Sequence, residues 1–260
     1  MIARLPFGQQ EVEVKLDEPL PIHIPLRHGR QNPNAWFAAD PKFEPFRMGD
    51  FVGSVKEGGS VNTMDISFNP HGNGTHTECI GHITKEPISV DEQLEQHFHW
   101  ARVISLKPEA WDGPESEFMK RGDLLLTSDQ LDDLEPDKAV TAVILRTLPN
   151  SEDKKTKRYS GTQPPYLHPS FTERVRTWGI EHFLLDLPSV DRESDGGKML
   201  AHRAFWYDGD KARTHATITE MVYVPDSVED GDYLLNLVPG PFQNDAAPSK
   251  PVLYRMKSTT

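Results

Sequence analysis

The sequence predicts an α/β fold in which helices flank a mixed, partly parallel central sheet or barrel, within a single domain covering residues 1–260. The observations behind this are a continuous β-branched run, TAVILRT (141–147), then a helical pattern ending at Gly179, then the apolar run HFLLDLPSV (182–190). A strand, a helix and a second strand in this order form a crossover unit, whose two strands lie parallel. The chain is long enough to bury a large core, and no repeat or composition break marks a second domain.

The remaining elements follow from local patterns along the chain. EVEVKL (11–16) alternates charged and apolar residues, which is typical of a strand with one wet face. SVNTMDISFN (60–69) is interpreted as a strand that leads into a histidine-rich loop. Ser128 is the expected N-cap of a helix that ends at Pro136. Further strands are expected at 101–106, 216–224, 233–238 and 252–256.

The charge balance and the single cysteine exclude several classes of protein. The chain has 28 Lys and Arg against 40 Asp and Glu, a net charge of −12, so neither a nucleic acid nor an anionic membrane is an expected partner. No apolar run approaches the roughly 20 residues that cross a bilayer, and the N-terminus lacks the apolar core of a signal peptide. Cys79 is the only cysteine, which excludes an internal disulfide. We expect a cytoplasmic protein that acts on a small molecule.

The loop HGNGTHTECIGH (71–82) contains four side chains that can bind a metal: His71, His76, Glu78 and His82. His76 and Glu78 are two residues apart, so in an extended segment both project to the same side. The intervening glycines allow the backbone to bend sharply before them. Imidazole and carboxylate groups that converge form a site for Zn, Mn or Fe. A polar loop in water is the alternative interpretation of this segment.

A second cluster lies more than a hundred residues downstream. A buried strand leads into a short helix that contains His202, and Glu220 lies in the middle of the strand ATITEMVYV. By alternation Glu220 shares a face with Ile218 and Val222, the face expected to be buried. A buried carboxylate needs a metal or a cationic histidine as partner. An edge strand with Glu220 in solvent is the alternative.

These two clusters, in this order, resemble the cyclase family of metal-dependent hydrolases, which includes bacterial kynurenine formamidase and isatin hydrolase. The family signature is H-x-G-T-H-x-D-x-P-x-H, and this chain has G-T-H-T-E followed by the closing histidine His82. VILRT and FLLDLPSVD look like the buried strands of the family, and His202 and Glu220 match its later ligands. The resemblance extends from about residue 16 to Val238.

The sequence departs from the family signature at three points. The first histidine of the signature aligns with Gly72, whereas the histidine of this chain is His71, one residue away. Glu78 stands where the family has an aspartate, and its side chain is longer by one methylene. The interval after His202 also looks longer than usual, which leaves His215 as an alternative ligand.

The resemblance implies a metal centre with one or two divalent ions, most simply Zn or Mn. Glu78 would bridge the two ions, and His82 would act as general base and acid. The implied ligands are His71, His76, Glu78, His202 and Glu220, and the implied catalytic residues are His82 and Glu220.

The activity that the resemblance implies is hydrolysis of a small amide, formamide or lactone, as in an arylformamidase, by a homodimer or higher homo-oligomer. Trp36, Phe37 and Phe46 lie in a segment that resembles the family's pocket loop, so an aromatic substrate is expected. Two alternatives remain: a family member that binds metal or ligand without catalysis, and a two-histidine, one-carboxylate iron oxygenase. The oxygenase requires an all-β jelly roll, so the fold discriminates between them.

Overall fold

A long mixed sheet forms the centre of the computed structural model, which describes residues 1–116 and 118–259. The described residues form twenty strands: β1 (Ile2–Phe7), β2 (Gln10–Lys15), β3 (Leu20–Pro21), β4 (Lys42–Pro45), β5 (Arg47–Met48), β6 (Phe51–Val52), β7 (Met64–Ser67), β8 (His76–Cys79), β9 (Phe98–Leu106), β10 (Glu109–Ala110), β11 (Leu124–Leu126), β12 (Ala142–Thr147), β13 (Tyr166–Leu167), β14 (His182–Leu185), β15 (Tyr207–Asp208), β16 (Lys211–Ala212), β17 (Thr217–Glu220), β18 (Gly231–Asn236), β19 (Ala246–Pro248) and β20 (Val252–Ser258). The α-helices in the same part of the chain are α1 (Pro70–Asn73), α2 (Val90–Gln93), α3 (Pro169–Thr177) and α4 (Leu200–Trp206).

The strands of the central sheet run in the order β1-β2-β20-β18-β9-β12-β14-β17-β8-β19, with β3 beside β20. The four neighbours β9, β12, β14 and β17 are parallel, while β18 and β8 flank them in the antiparallel direction. The predicted α/β fold with a mixed, partly parallel sheet is therefore confirmed. Parallel strands joined through α3 exclude the jelly roll that an iron oxygenase of this kind requires.

Both faces of the parallel strands are buried, which explains why their sequences are continuously apolar. Along β12, Val143 and Leu145 face a core that includes side chains from α3 and α4. Ala142 and Ile144 face a second core on the opposite side of the sheet. Among the residues that the structure describes, none lies in a helix long and apolar enough to cross a bilayer.

The crossover unit agrees with the sequence, except that its second strand is shorter than expected. The helix is present at Pro169–Thr177. Gly179 follows it with φ +83°, the left-handed conformation that glycine commonly adopts just after the end of a helix. Strand β14 ends at Leu185 because the next side chain, Asp186, accepts hydrogen bonds from the backbone N–H of Thr147 at 3.0 and 3.1 Å. Asp186 also pairs with Lys154 at 2.7 Å, so the carboxylate is buried with its charge offset.

The segment 60–69 forms a strand that leads into the histidine-rich loop, as expected, because β7 is followed by helix α1, which contains His71. This strand is shorter than expected and pairs with β4 in a separate two-stranded sheet. The expected helix after Ser128 was wrong, since this segment is a 3-10 turn at Ser128–Leu131, and the cap is Thr127, which forms a reciprocal capping box with Gln130. The segment after Ser128 lacks the length of apolar pattern that would have distinguished a helix from a turn.

Gly72 allows the loop at residues 35–38 to lie directly against helix α1. The Asn69 side chain caps this helix by accepting from the Gly72 N–H at 3.0 Å, and the Gly72 carbonyl accepts from the Ala35 N–H at 2.9 Å. A Cβ atom at position 72 would lie 2.5 Å from the Ala38 Cβ and 3.1 Å from the Ala35 carbonyl oxygen. No side chain fits at this position, so the histidine that the family signature places there has to come from another residue.

We predict that Gly72→Ala destabilises the protein, because the added methyl group forces the 35–38 loop away from α1. Overpacking of this kind costs about 1–3 kcal/mol, which corresponds to a fall in Tm of roughly 2–10 °C for a domain of this size. Thermal unfolding followed by circular dichroism measures the change. Ala38→Gly removes the atom that would collide, so the double variant should recover most of the lost stability. An unchanged Tm in Gly72→Ala would contradict the close contact.

Candidate metal centre

Strands β8 and β17 place the first group of site residues by their register. His76 lies opposite Glu220 in this antiparallel pair, and Ala246 of β19 lies opposite Glu78 on the other side of β8. His76 and Glu78 point to the same face because they are two residues apart in a strand, as the sequence predicted. Residues directly opposite in neighbouring strands share a face, so the Glu220 carboxylate also joins them.

Helix α4 lies far from β8 in the sequence, and it brings His202 next to Glu78. Asp191 holds the start of this helix, because its carboxylate accepts from the N–H groups of Ala201 at 2.8 Å and His202 at 3.1 Å. The same carboxylate accepts from Nδ1 of the His202 ring at 2.6 Å. The ring is therefore fixed with Nε2 directed at Glu78, 2.9 Å from Oε1.

The six predicted site residues form one cluster of side chains. Nε2 of His76 lies 3.5 Å from Oε2 of Glu220 and 3.9 Å from Oε2 of Glu78. Nδ1 of His71 lies 3.1 Å from Oε2 of Glu78, and Nε2 of His202 lies 3.8 Å from Oε1 of Glu220. His82 belongs to the same cluster, because donor atoms of His82, Glu78 and His202 lie within 4.8 Å of one another.

The alternative ligand His215 lies elsewhere. It is exposed, and its Nε2 is 4.0 Å from the carboxylate of Glu181. His99 is also outside the cluster, because its ring contacts His182 with centroids 4.0 Å apart and its Nε2 bonds the carbonyl of Gln96. The two candidates for the distal ligand were His202 and His215, and His202 is the one that lies beside Glu78.

Three histidines share one arrangement, in which one ring nitrogen points to the centre of the cluster and the other is held by an acceptor. The acceptor is the Gly74 carbonyl for Nδ1 of His76, at 2.9 Å, and Asp191 for Nδ1 of His202. For His71 the nitrogens are exchanged, since Nε2 meets Asp245 at 2.9 Å and Nδ1 points inward. This is the arrangement found in metal-binding histidines, whose second nitrogen donates to a carboxylate or a carbonyl.

The residues fit a divalent cation. Nε2 of His76 is fully buried and has no hydrogen-bond partner, and it faces two carboxylates that are 1% and 3% exposed. Two ligand atoms bound tetrahedrally to one zinc ion lie about 3.4 Å apart, close to the 3.5 Å between His76 and Glu220. Buried carboxylates and an unpaired imidazole nitrogen together are costly unless a cation offsets them.

Protonated histidines offset part of this negative charge when no cation is present. Burial opposes protonation of His202, but its hydrogen bonds to Asp191 and Glu78 raise its pKa well above the usual value. Burial likewise opposes protonation of His71, but Asp245 and Glu78 raise its pKa to about 10. Burial tends to raise the pKa of Glu78, but the charges of His82 and His202 lower it well below its usual range. A cation at this site would therefore compete with protons.

Sequence reasoning missed two carboxylates that contact the cluster. Asp191 belongs to the FLLDLPSVD segment that resembles the family, but its role as the acceptor for His202 was not assigned. Asp245 directly precedes a strand of three residues, β19, and carries no motif. A strand this short, about 170 residues after its partner β8, leaves no pattern that would have predicted the pairing.

Comparison with known proteins places the chain among cyclases. The Cyclase family model matches residues 15–192. A solved structure described as a potential metal-dependent hydrolase with cyclase activity superposes with a TM-score of 0.62 at 15% identity, covering 92% of this chain and 98% of that one. Isatin hydrolase A from Labrenzia aggregata, bound to benzyl benzoate, gives a TM-score of 0.63 at 12% identity, with 92% and 94% covered.

A third structure, a predicted metal-dependent hydrolase from Bacillus stearothermophilus, has a TM-score of 0.60 at 15% identity and covers 91% of this chain and 98% of that one. No curated protein matches the sequence. At these identities the structures establish a shared fold, and the family model covers more than half of the chain. The chain therefore belongs to the Cyclase family.

Proposed function

We propose that this protein is a metal-dependent hydrolase that cleaves a small amide, formamide or lactone, in the manner of an arylformamidase. The observation that carries the proposal is the buried, unpartnered Nε2 of His76 facing the buried carboxylates of Glu78 and Glu220. Nitrogen and oxygen donors of this kind suit Zn and Mn. The structures of metal-dependent hydrolases that share the fold support the same reaction class.

The ligands divide into two overlapping sets around Glu78. His71, His76 and Glu78 have donor atoms within 4.8 Å of one another and would hold one ion. His202 and Glu220 would hold a second ion together with Glu78, whose two oxygens face different histidines. A bound divalent cation supplies two things, a water pKa lowered from about 15.7 to about 7 and polarisation of the substrate carbonyl.

His82 is proposed as the general base and acid, and Glu220 is proposed as the other catalytic residue. The position of His82 supports its role. Its side chain is 27% exposed, whereas the proposed ligands His76 and His202 are at most 1% exposed. His82 therefore lies at the edge of the cluster, where a substrate arriving from solvent can meet it. Its Nδ1 faces Asp245, which leaves the Nε2 lone pair to take a proton and return it to the leaving group.

Cys79 does not serve as a nucleophile in this proposal. Its side chain is buried and its Sγ–H donates to the Ile88 carbonyl at 3.4 Å. Burial raises the pKa of the thiol to about 11, so almost none of it is thiolate near neutral pH. A water nucleophile with a histidine base agrees better with this environment.

The proposed substrate is aromatic because two exposed rings lie in the loop that contacts helix α1, the helix that contains His71. Trp36 and Phe37 are 39% and 80% exposed and have φ of +58° and +53°, a backbone conformation that is costly for large side chains. They follow Ala35, whose N–H bonds the carbonyl of Gly72, the residue after His71. An isatin hydrolase of the same fold binds the aromatic molecule benzyl benzoate, which supports this class of ligand.

A homodimer or higher homo-oligomer is proposed from an uncovered apolar face. Strands β4 and β7 form a small sheet in which Met64 and Ile66 of β7 are 44% and 54% exposed. Phe43 of β4 is half-buried and lies opposite Ile66, so it shares one face with the two exposed side chains. Clustered apolar side chains on the surface mark contact sites, and a second copy of this chain is the proposed occupant.

We predict that protein purified without chelators contains one or two equivalents of Zn or Mn by elemental analysis. His76→Ala and Glu78→Ala should remove most of this metal, because each deletes a central ligand. Both should also abolish turnover of a panel of aryl formamides, amides and lactones. His215→Ala, which changes an exposed histidine outside the cluster, should keep metal and activity.

Retention of metal and turnover in both ligand variants would refute the proposed centre. Metal binding by the unmodified protein without turnover of any compound in the panel would support the alternative of a family member that binds without catalysis.

We predict that the double variant Trp36→Ala, Phe37→Ala raises the KM for an aryl formamide by about tenfold or more, since each ring contributes about 1.5–3 kcal/mol when it is buried by a ligand. Metal content should be unchanged. Phe98→Ala is the matched control, because Phe98 is also an exposed ring but lies at the opposite end of the parallel strands. An equal change in KM in both variants would contradict an aromatic pocket at residues 36 and 37.

We predict that Ile66→Glu lowers the oligomeric state measured by analytical ultracentrifugation, because a buried charge at the β4–β7 face opposes association. Ile2→Glu is the control, since Ile2 is exposed to a similar extent on the β1 edge. A monomeric unmodified protein at micromolar concentration would be evidence against the proposed oligomer.

A further inference from the structure

One carboxylate oxygen contacts two histidines of the candidate metal centre. Oδ2 of Asp245 lies 2.9 Å from Nε2 of His71 and 3.2 Å from Nδ1 of His82. The two rings are stacked, with centroids 4.3 Å apart and an angle of 30° between their planes. Asp245 therefore lies at the common edge of a proposed ligand and the proposed base.

The backbone around Asp245 fixes this carboxylate. The carbonyl of Asp245 accepts from the Cys79 N–H at 3.0 Å, and the next residue, Ala246, lies opposite Glu78 in the β8–β19 pair. The strand that contains Glu78 thus also sets the position of Asp245. The carboxylate is partly exposed, at 25%, so it keeps its charge at a small desolvation cost.

We propose that Asp245 is a positioning residue that sets the ring orientation and tautomer of both His71 and His82; the inference rests on the proposed function. An acceptor at Nε2 of His71 keeps the proton on that nitrogen and leaves the Nδ1 lone pair directed at the cluster. An acceptor at Nδ1 of His82 leaves the Nε2 lone pair free for proton transfer. The same carboxylate oxygen thus prepares one ring to bind a cation and the other to act as a base.

The displaced histidine explains why a carboxylate is needed at this point. Gly72 packs too closely against the 35–38 loop to be a histidine, and His71 reaches Glu78 with Nδ1, whereas His76 and His202 face the centre with Nε2. The Nε2–H of His71 consequently points away from the centre, towards β19. Asp245 supplies the acceptor there, although it lies beyond residues 15–192, the part of the chain that the family model matches.

A cycle of metal-affinity measurements tests whether Asp245 acts through His71. The zinc affinity of the purified protein is measured by competition with a chromophoric chelator for the unmodified chain, Asp245→Ala, His71→Ala and the double variant. Loss of an acceptor behind a ligand typically costs 10–100-fold in metal affinity, and we expect this loss in Asp245→Ala. In the His71→Ala background, Asp245→Ala should cause little further loss.

Asp245→Asn should recover part of the affinity, because the amide oxygen can still accept a hydrogen bond. Asp91→Ala is the matched control, since Asp91 is an exposed carboxylate in α2, a helix that adjoins this segment through the Val90 N–H to Asn244 carbonyl bond. The control should leave zinc affinity unchanged. Thermal unfolding of each variant shows whether it is folded before its affinity is interpreted.

A tautomer measurement tests the second contact independently of metal. Long-range proton–nitrogen NMR spectra distinguish Nδ1–H from Nε2–H, and the His82 signals are identified by their loss in His82→Gln. In spectra recorded at a pH at which the His82 ring is neutral, we expect the Nδ1–H tautomer in the unmodified protein and in Asp91→Ala, and the Nε2–H tautomer in Asp245→Ala. A merely structural role for Asp245 would leave the tautomer unchanged.

The outcomes separate this inference from the proposed function. Unchanged affinity in Asp245→Ala beside a loss in His76→Ala overturns the inference and leaves the metal centre standing. Equal losses on removing Asp245 with and without His71 also overturn it, because Asp245 would then not act through that ring. Absence of zinc binding by the unmodified protein overturns the proposed function, and the inference with it.

Discussion

The burial of two carboxylates side by side is the constraint on which the candidate site depends. Glu78 and Glu220 lie in neighbouring antiparallel strands, 1% and 3% exposed, within a sheet whose other buried positions are mostly apolar. Two buried negative charges repel each other and have lost their hydration, so the fold is stable only if positive charge lies between or beside them. His71, His76 and His202 each have a ring nitrogen beside at least one of the two carboxylates. Histidines can supply the positive charge by taking up protons or by binding a cation.

The displaced first histidine is part of a linked set of contacts. Contact between Gly72 and the 35–38 loop excludes a side chain at the usual position of the family signature. His71 takes its place with the opposite ring nitrogen inward, and this orientation leaves an N–H that meets Asp245. Glu78, longer than the family's aspartate by one methylene, contacts both His71 and His202. The histidine at position 71 and the longer side chain of Glu78 thus occur together. With both changes, the nitrogen and oxygen donor atoms remain in contact.

The sequence was sufficient for the elements with strong patterns. The continuous β-branched run of β12 and the helical spacing of α3 correctly indicated a crossover and a parallel sheet. The two-residue spacing of His76 and Glu78 correctly indicated a shared face in an extended segment. These features depend on neighbours in sequence, which a single sequence records directly.

The parts that the sequence did not predict depend on pairing between distant short segments. Asp245 reaches the site only because three residues of β19 pair with β8, and Gly72 is required by contact with a loop more than thirty residues earlier. The glycines of the loop 71–82 were expected to allow a sharp backbone bend. At Gly72 the requirement is instead the absence of a Cβ atom, because the 35–38 loop lies too close for one. Such contacts have no local periodicity, so only the folded structure shows them.

The two loops with the least regular sequence are connected to each other and, through the first loop, to helix α1 of the candidate metal centre. Asn34 exchanges backbone hydrogen bonds with the 157–159 segment, at 3.0 Å from its N–H and 2.7 Å to its carbonyl, and the Ser160 hydroxyl accepts from the Phe37 N–H. The next residue along the first loop, Ala35, bonds Gly72 beside His71. The backbone that contains Trp36 and Phe37 is therefore attached to a second loop and to helix α1, which contains His71. Because the first loop is attached to Gly72 by a backbone hydrogen bond, its side chains can change without moving helix α1. Under the proposed function, substrate choice could then vary on one fixed centre.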